Sequence, residues 1–185
     1  MSETLKDTER RWYAMRSLFN TELKIKELLD SERIENFLPM DWETFEVGGQ
    51  KKKRLVPLVR NLIFVRSTPT ELAPVMARQS RFQFIYARGG RQNQPIVVPT
   101  VQMDSFIRAV EASRAPLYFQ PGELPPPQPG QLVRIKSGSL DGVVGRVLKV
   151  KGARARRLVV EIPGFLAAAV EVNLADCEPA QNQSC

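Results

Sequence analysis

Six of the chain's 14 prolines fall between Ala115 and Gly130, in the string APLYFQPGELPPPQPG. Proline fixes φ and lacks an amide donor, so such a stretch cannot run through a helix or a central strand and tends toward extended polyproline conformation. It reads as a semi-rigid spacer. A chain of 185 residues interrupted there must build two small domains rather than one large one. We therefore expect an N-terminal domain over 10–114, a linker over 115–129 and a C-terminal domain over 130–178.

Before the proline stretch, strand and helix signals alternate. Arg11 to Ser17 is strand-like, with Trp12 and Tyr13 as large anchors. Asn20 or Thr21 can cap a helix reaching about Glu32, where Ile25, Leu28 and Leu29 make an apolar stripe. Ile34 to Met40 is a short strand ending near Pro39. Trp42 to Val47 then alternates apolar and polar residues up to Gly48-Gly49, and the return arm carries Lys51, Lys52, Lys53 and Arg54. This pattern predicts a β-hairpin with a cationic arm. Asn61 to Arg66 is a near-continuous apolar run, as in a central strand. Thr68 or Thr70 caps a helix through Met76. Phe82 to Ala87 and Gln94 to Val98 are strands separated by the turn pair Gly89-Gly90. A last helix, about Val101 to Ser113, is expected to set Val101, Phe106 and Val110 against the sheet. The fold class is α+β, an antiparallel sheet flanked by helices.

After the proline stretch the signal is strands only. Gln131 to Lys136, Val143 to Lys151, Arg157 to Ile162 and Ala168 to Val172 are short and valine-rich. Turns with Gly138, Gly142, Gly152 and Gly164 separate them, the pattern of a small SH3-like β-barrel. A barrel this short has a thin core and modest stability.

The residue inventory excludes most catalytic chemistry. Histidine is absent, which removes the commonest general base, the commonest metal ligand and every Ser-His-Asp or Cys-His arrangement. No phosphate-cradling glycine loop and no close carboxylate pair in an apolar setting is present. Cys177 and Cys185 are too few for a disulfide framework or a zinc site. We expect no enzyme activity, no cofactor and no metal. The N-terminus lacks a signal-like apolar core, and no apolar run approaches the roughly 20 residues of a membrane span, so the expected location is the cytosol. A net charge of +7 favours polyanionic partners, nucleic acid above all.

The order of these segments, with particular residues in it, resembles the NusG family of bacterial transcription elongation factors. Trp12-Tyr13-Ala14-Met15 matches the family's first strand, and Phe37-Leu38-Pro39 its second. The run Pro57 to Arg66 (PLVRNLIFVR) is similar to its P-L-F-P-x-Y-[VL]-F-V-x strand, and Ile96-Val97-Val98-Pro99 to the segment before its last helix. Gly130 to Ile135 followed by Gly138, then Gly145-Arg146-Val147, looks like a KOW motif. The hairpin lysines and Asn61-Leu62-Ile63-Phe64 lean toward specialised antiterminators of the UpxY and RfaH type, which act on long operons, often for surface (capsular) polysaccharides.

The resemblance implies a monomeric antitermination factor. Its N-terminal domain grips the clamp helices of RNA polymerase and suppresses pausing or termination. Its KOW domain recruits a ribosomal protein or a termination factor. Arg16, Leu62, Phe64 and Phe84 match the polymerase-docking region, with Leu62 expected to face outward because strand alternation exposes only part of the run. Lys51, Lys52, Lys53 and Arg54 are either a solvated arm or a phosphate-contacting finger on DNA or RNA of the elongation complex, and Arg78, Arg81, Arg88 and Arg91 would widen that basic face. Gly138, Leu140, Val143 and Gly145 carry the KOW turn and its partner contact, with Leu140 and Val143 as the larger groups of the loop. The family's aromatic and second proline are Leu62 and Arg60 here, and the loop lacks the family's bulky tip. The alternative is an RNA-binding or ribosome-associated KOW protein, with Lys149, Lys151, Arg154, Arg156 and Arg157 facing RNA.

Overall fold

The computed structural model describes residues 9–87, 94–124, 132–149 and 156–180. The chain divides into two compact units, 1–98 and 99–185.

The first unit is built on a five-stranded antiparallel sheet. Strand β1 (Arg11–Ser17) lies at its centre, with β2 (Glu35–Phe37) and β5 (Leu62–Ser67) to one side. On the other edge β6 (Phe82–Phe84) pairs with residues 15–17 of β1, and β7 (Val97–Val98) pairs with residues 12–13. Helices α1 (Glu22–Ser31) and α2 (Pro69–Arg78) supply Ile25, Leu29, Leu72 and Val75 to a core shared with Tyr13, Met15, Ile63, Val65 and Phe82. A hairpin of β3 (Met40–Val47) and β4 (Gln50–Pro57) forms a separate two-stranded sheet. Its tip, Gly48-Gly49, has φ of 60° and 77°, a pair of left-handed residues that a primed hairpin turn demands.

Local chemistry fixes the ends of α2. The Thr68 hydroxyl accepts from the Glu71 amide at 3.1 Å, and the Glu71 carboxylate accepts from the Thr68 amide at 3.2 Å, a reciprocal cap behind Pro69. Glu71 also accepts from Arg10 at 2.6 Å and from the Ser67 hydroxyl at 2.7 Å. These donors, Arg10 foremost, hold its carboxyl down at about 2. At α1, Thr21 sits in the cap position but its hydroxyl donates to the Leu18 carbonyl instead of capping the helix.

The second unit holds helix α3 (Thr100–Ala112) and a six-stranded antiparallel, barrel-like sheet. The strands are β8 (Leu117–Phe119), β9 (Leu132–Ile135), β10 (Val144–Leu148), β11 (Arg157–Ile162), β12 (Leu166–Glu171) and β13 (Cys177–Pro179), in the spatial order β13-β9-β10-β11-β12-β8. One of its faces buries Leu148, Val159, Ala167 and Ala169 under Phe119 and Leu124.

Three expectations about this half need correction. The stretch 115–129 is not all spacer, because Leu117–Phe119 pairs with Ala167–Ala169 as an edge strand. Helix α3 falls in the second unit and packs against β10, β11 and β12. Its buried residues are Met103, Ser105, Phe106 and Ala109, whereas Val101 is two-thirds exposed. The contact boundary therefore lies at Val98/Pro99 and not at residue 115. The turn pair Gly89-Gly90 and the prolines Pro125, Pro126, Pro127 and Pro129 lie outside the described residues.

Candidate functional site

Pairing register puts Arg16 opposite Leu62, and Ala14 opposite Phe64, on one face of the first sheet. Leu62 is 3% exposed and Phe64 is fully buried, so the expectation that Leu62 faces outward is overturned. The reason is that β5 is a central strand covered on both faces, and its four-residue apolar run has no solvent side. Arg16 itself is exposed. Phe84 is half-buried against the core, edge-on to Tyr13 with ring centroids 5.1 Å apart. Beyond it stands Tyr86, 6.4 Å from Phe84 and 46% exposed, an exposed aromatic that sequence reasoning missed. Its spacing two residues after Phe84 was the available signal.

The basic residues do not form one face. Arg78 is tied to Glu32 at 2.7 Å and to the Pro74 carbonyl at 3.3 Å, which neutralises it within its own unit. Arg81 lies over the Phe19 ring at 4.8 Å, just past the end of β1, where its carbonyl accepts from the Leu18 amide at 2.9 Å. Phe19 is 73% exposed, and Phe19, Asn20 and Asn61 all take left-handed φ between 54° and 62°. At Asn61 that conformation is held by the Ser17 amide donating to its carbonyl (3.2 Å) and by its own amide donating to the buried Glu22 carboxylate. Lys51, Lys52 and Lys53 sit on β4, all exposed, while Arg54 is held by Glu43 across the hairpin. Arg88 and Arg91 lie outside the described residues.

In the second unit the segment expected to carry the KOW turn is a short 3-10 turn, Gly138–Leu140, entered through Gly138 at φ 77°. Leu140 is half-buried, but Val143 is completely buried and offers no side chain to a partner. This corrects the expectation that both bulky groups tip the loop. Helix α3 lies against the turn, and Arg108 of that helix donates to the Asp141 carbonyl at 2.7 Å. Gly145 is a close-approach position: a β-carbon there would stand 2.5 Å from the Val159 carbonyl oxygen. Of the cluster proposed to face RNA, Arg157 is bound to Glu171 at 3.0 Å and to the Ala169 carbonyl, and Lys151 and Arg154 lie outside the described residues.

Among the described residues no group of three acidic, cysteine or histidine side chains could hold a metal, and no helix is long and apolar enough to cross a membrane. An exposed aromatic and arginine patch, a cationic hairpin and a barrel with a glycine-marked turn define a class: a binding protein that works through surfaces. Residues 10–107, more than half of the chain, match the family model described as transcription termination factor nusG. The chain belongs to the NusG family, a family of transcription elongation and termination factors whose members bind RNA polymerase. It is also similar to a solved structure titled "Domain interaction in Thermotoga maritima NusG", at 16% identity, over 94% of this chain and 98% of that chain, with a TM-score of 0.45. Among curated proteins none matches.

Proposed function

We propose that the chain is an elongation and antitermination factor that binds RNA polymerase through its N-terminal domain and suppresses pausing or termination. The observation that carries this is the family match across 10–107, the span that holds the first unit. Within it, exposed Tyr86, backed by half-buried Phe84, is the polymerase-facing group on one face of the sheet, and exposed Arg16 is a second contact on the other, aromatic and cationic chemistry suited to an interface. Leu62 and Phe64 are buried on the same face of the sheet as Arg16 and serve its packing. The hairpin lysines add salt-dependent contact with nucleic acid of the elongation complex. The KOW unit recruits the second partner, a ribosomal protein or a termination factor. The hairpin lysines and the Asn61–Phe64 string favour a specialised paralogue of the UpxY and RfaH type, acting on capsular polysaccharide operons.

A transcription assay on a long template with purified polymerase tests this. Added protein should raise full-length yield and shorten pauses, and Tyr86→Asp or Arg16→Glu should weaken polymerase capture about tenfold or more. Unchanged pausing, or capture indifferent to both substitutions, would sink the assignment. The ribosome-associated alternative is less well supported, since Arg157 is already paired.

A further inference from the structure

Strand β8 closes one edge of the barrel-like sheet with three residues, Leu117–Phe119. They pair with Ala167–Ala169, whereas β12 itself runs for six residues, Leu166–Glu171. On its other side β12 is paired along that whole length by β11. The outer edge of β12 is therefore only half occupied. The reason is local. After Phe119 the chain turns back on itself: the Gln120 amide donates to the Glu123 carboxylate at 2.6 Å, the Glu123 amide donates to the Gln120 carbonyl at 3.1 Å, and Gly122 takes φ 88°. Pro121 stands inside this turn and has no amide to give to β12.

The floor beneath residues 117–124 takes larger groups than they supply. Ala167, Ala168 and Ala169 are buried, and three consecutive alanines make a shallow strand surface. Phe119 lies opposite Ala167 and, with Leu124, covers the cluster of Leu148, Val159, Ala167 and Ala169. Leu117, opposite Ala169, stays 40% exposed. Between the turn and the barrel lies a cavity of about 170 Å3, with Gln120, Pro121 and Leu124 on one side and Arg146, Glu161 and Phe165 on the other. Side chains facing a gap lose the dispersion contacts that a filled interface would give them. A three-residue edge strand running into such a gap belongs to the part of a fold that opens first.

We propose that the outer edge of β12 is a strand-addition site for a second protein, which the chain's own residues 117–124 fill until a longer strand displaces them. The occupant is an extended segment with a large apolar side chain over Ala167, as Phe119 has. It continues without proline alongside Leu166, so that its next side chain on that face enters the cavity. Main-chain hydrogen bonds to β12 supply affinity, and the alanine floor supplies the choice of side chain. Residues 117–119 show which chemistry the edge accepts. They also compete as a tethered ligand at high local concentration, so a partner enters only by pairing with more of β12. A nucleic acid strand has no peptide backbone with which to extend the ladder. The inference names the kind of partner for the unit assigned above to recruit one, and it rests on that assignment.

Two synthetic peptides serve as probes: residues 115–124 as they stand, and the same peptide with Pro121→Val. The isotope-labelled full chain is titrated with each and followed through its amide resonances. The Pro121→Val peptide should shift residues 166–169 and bind about tenfold more tightly than the unaltered one. Leu117→Ala/Phe119→Ala in the chain should strengthen binding of either peptide about tenfold, because the edge then stands open more of the time. A peptide carrying Phe119→Asp should not bind. In the chain alone, the amides of 117–119 should exchange about tenfold faster than those of β11. Absence of binding by the Leu117→Ala/Phe119→Ala chain with its β10–β11 ladder intact would overturn the proposal, as would full affinity for the Phe119→Asp peptide or shifts confined to residues outside 166–169. If that variant loses the ladder, the native chain with the Pro121→Val peptide decides the matter, and no shift at 166–169 overturns the site. Dimers of the native chain that exchange residues 117–119, with no peptide binding, would give the edge to a second copy and overturn it too. The pausing assay is run in parallel. Unchanged pausing alongside intact peptide binding would refute the functional assignment and leave the edge standing, whereas shortened pauses without peptide binding would refute the edge alone.

Discussion

Glu71 gathers more hydrogen bonds than any other carboxylate described, and its titration makes a prediction at the scale of one residue. Its carboxyl lies near 2, well below the usual 4.5, chiefly because Arg10 and Ser67 donate to its charged form. A depressed folded value means the stabilisation is complete above about pH 4.5 and disappears as pH falls toward 2. The side chain is 37% exposed, so solvent screening reduces the effect to about 1 kcal/mol. Glu71→Gln should therefore lower the unfolding free energy of the first unit by about that amount at pH 7 and by almost nothing at pH 2, measured by urea titration at both. Equal losses at both values would place the effect in the cap geometry and not in the charge. Glu71→Ala removes the cap as well and should lose about 1 kcal/mol more at either pH.

At the scale of elements, the strands of the barrel approach each other where only glycine fits. Gly145→Ala places a methyl 2.5 Å from the Val159 carbonyl and about 3 Å from the Leu158 side chain, so β10 and β11 must separate. Such overpacking costs about 1–3 kcal/mol, and the second unit should melt earlier by calorimetry while the first is unmoved. Elements were also where the sequence was most legible. The strand–helix alternation, the Gly48-Gly49 hairpin and the Thr68 cap are local chemistry, and all stand in the structure. What alternation could not reveal was cover. Leu62 looked free because a strand is assumed to have a wet side, yet β5 is covered on both. Leu117–Phe119 was hidden because prolines surround it. An edge strand tolerates flanking proline, since only one of its sides must donate to the sheet. At the candidate site, Lys51–Lys53 were legible as exposed cations. The pairing of Arg78 with Glu32, 46 residues away, was not, because no local pattern encodes it.

At the scale of the whole molecule, the placement of α3 decides what the Gly138–Leu140 turn can do. The family match runs into this helix, to residue 107, whereas the fold seats it on β10–β12 beside the turn at Gly138–Leu140. A partner approaching that turn meets Arg108, which donates to the Asp141 carbonyl from an exposed position. Charge reversal removes the donor and sets a carboxylate against a carbonyl oxygen. A hydrogen bond from a charged group contributes about 1.5–3 kcal/mol, and solvent exposure draws this toward the lower limit. Arg108→Glu should then raise amide exchange in α3 and in residues 138–143 about tenfold, since 1.4 kcal/mol is a factor of ten in an opening equilibrium. Exchange in β11 and β12 should stay as it is, because their ladder does not include the bond. If the helix opens as predicted, any partner that uses the Gly138–Leu140 turn should bind the variant more tightly than the native chain by a similar factor, as the cover no longer has to be displaced first. Unchanged exchange would instead show that burial of Met103, Phe106 and Ala109 holds the helix without the arginine, and a partner would then have to reach the turn from its other side.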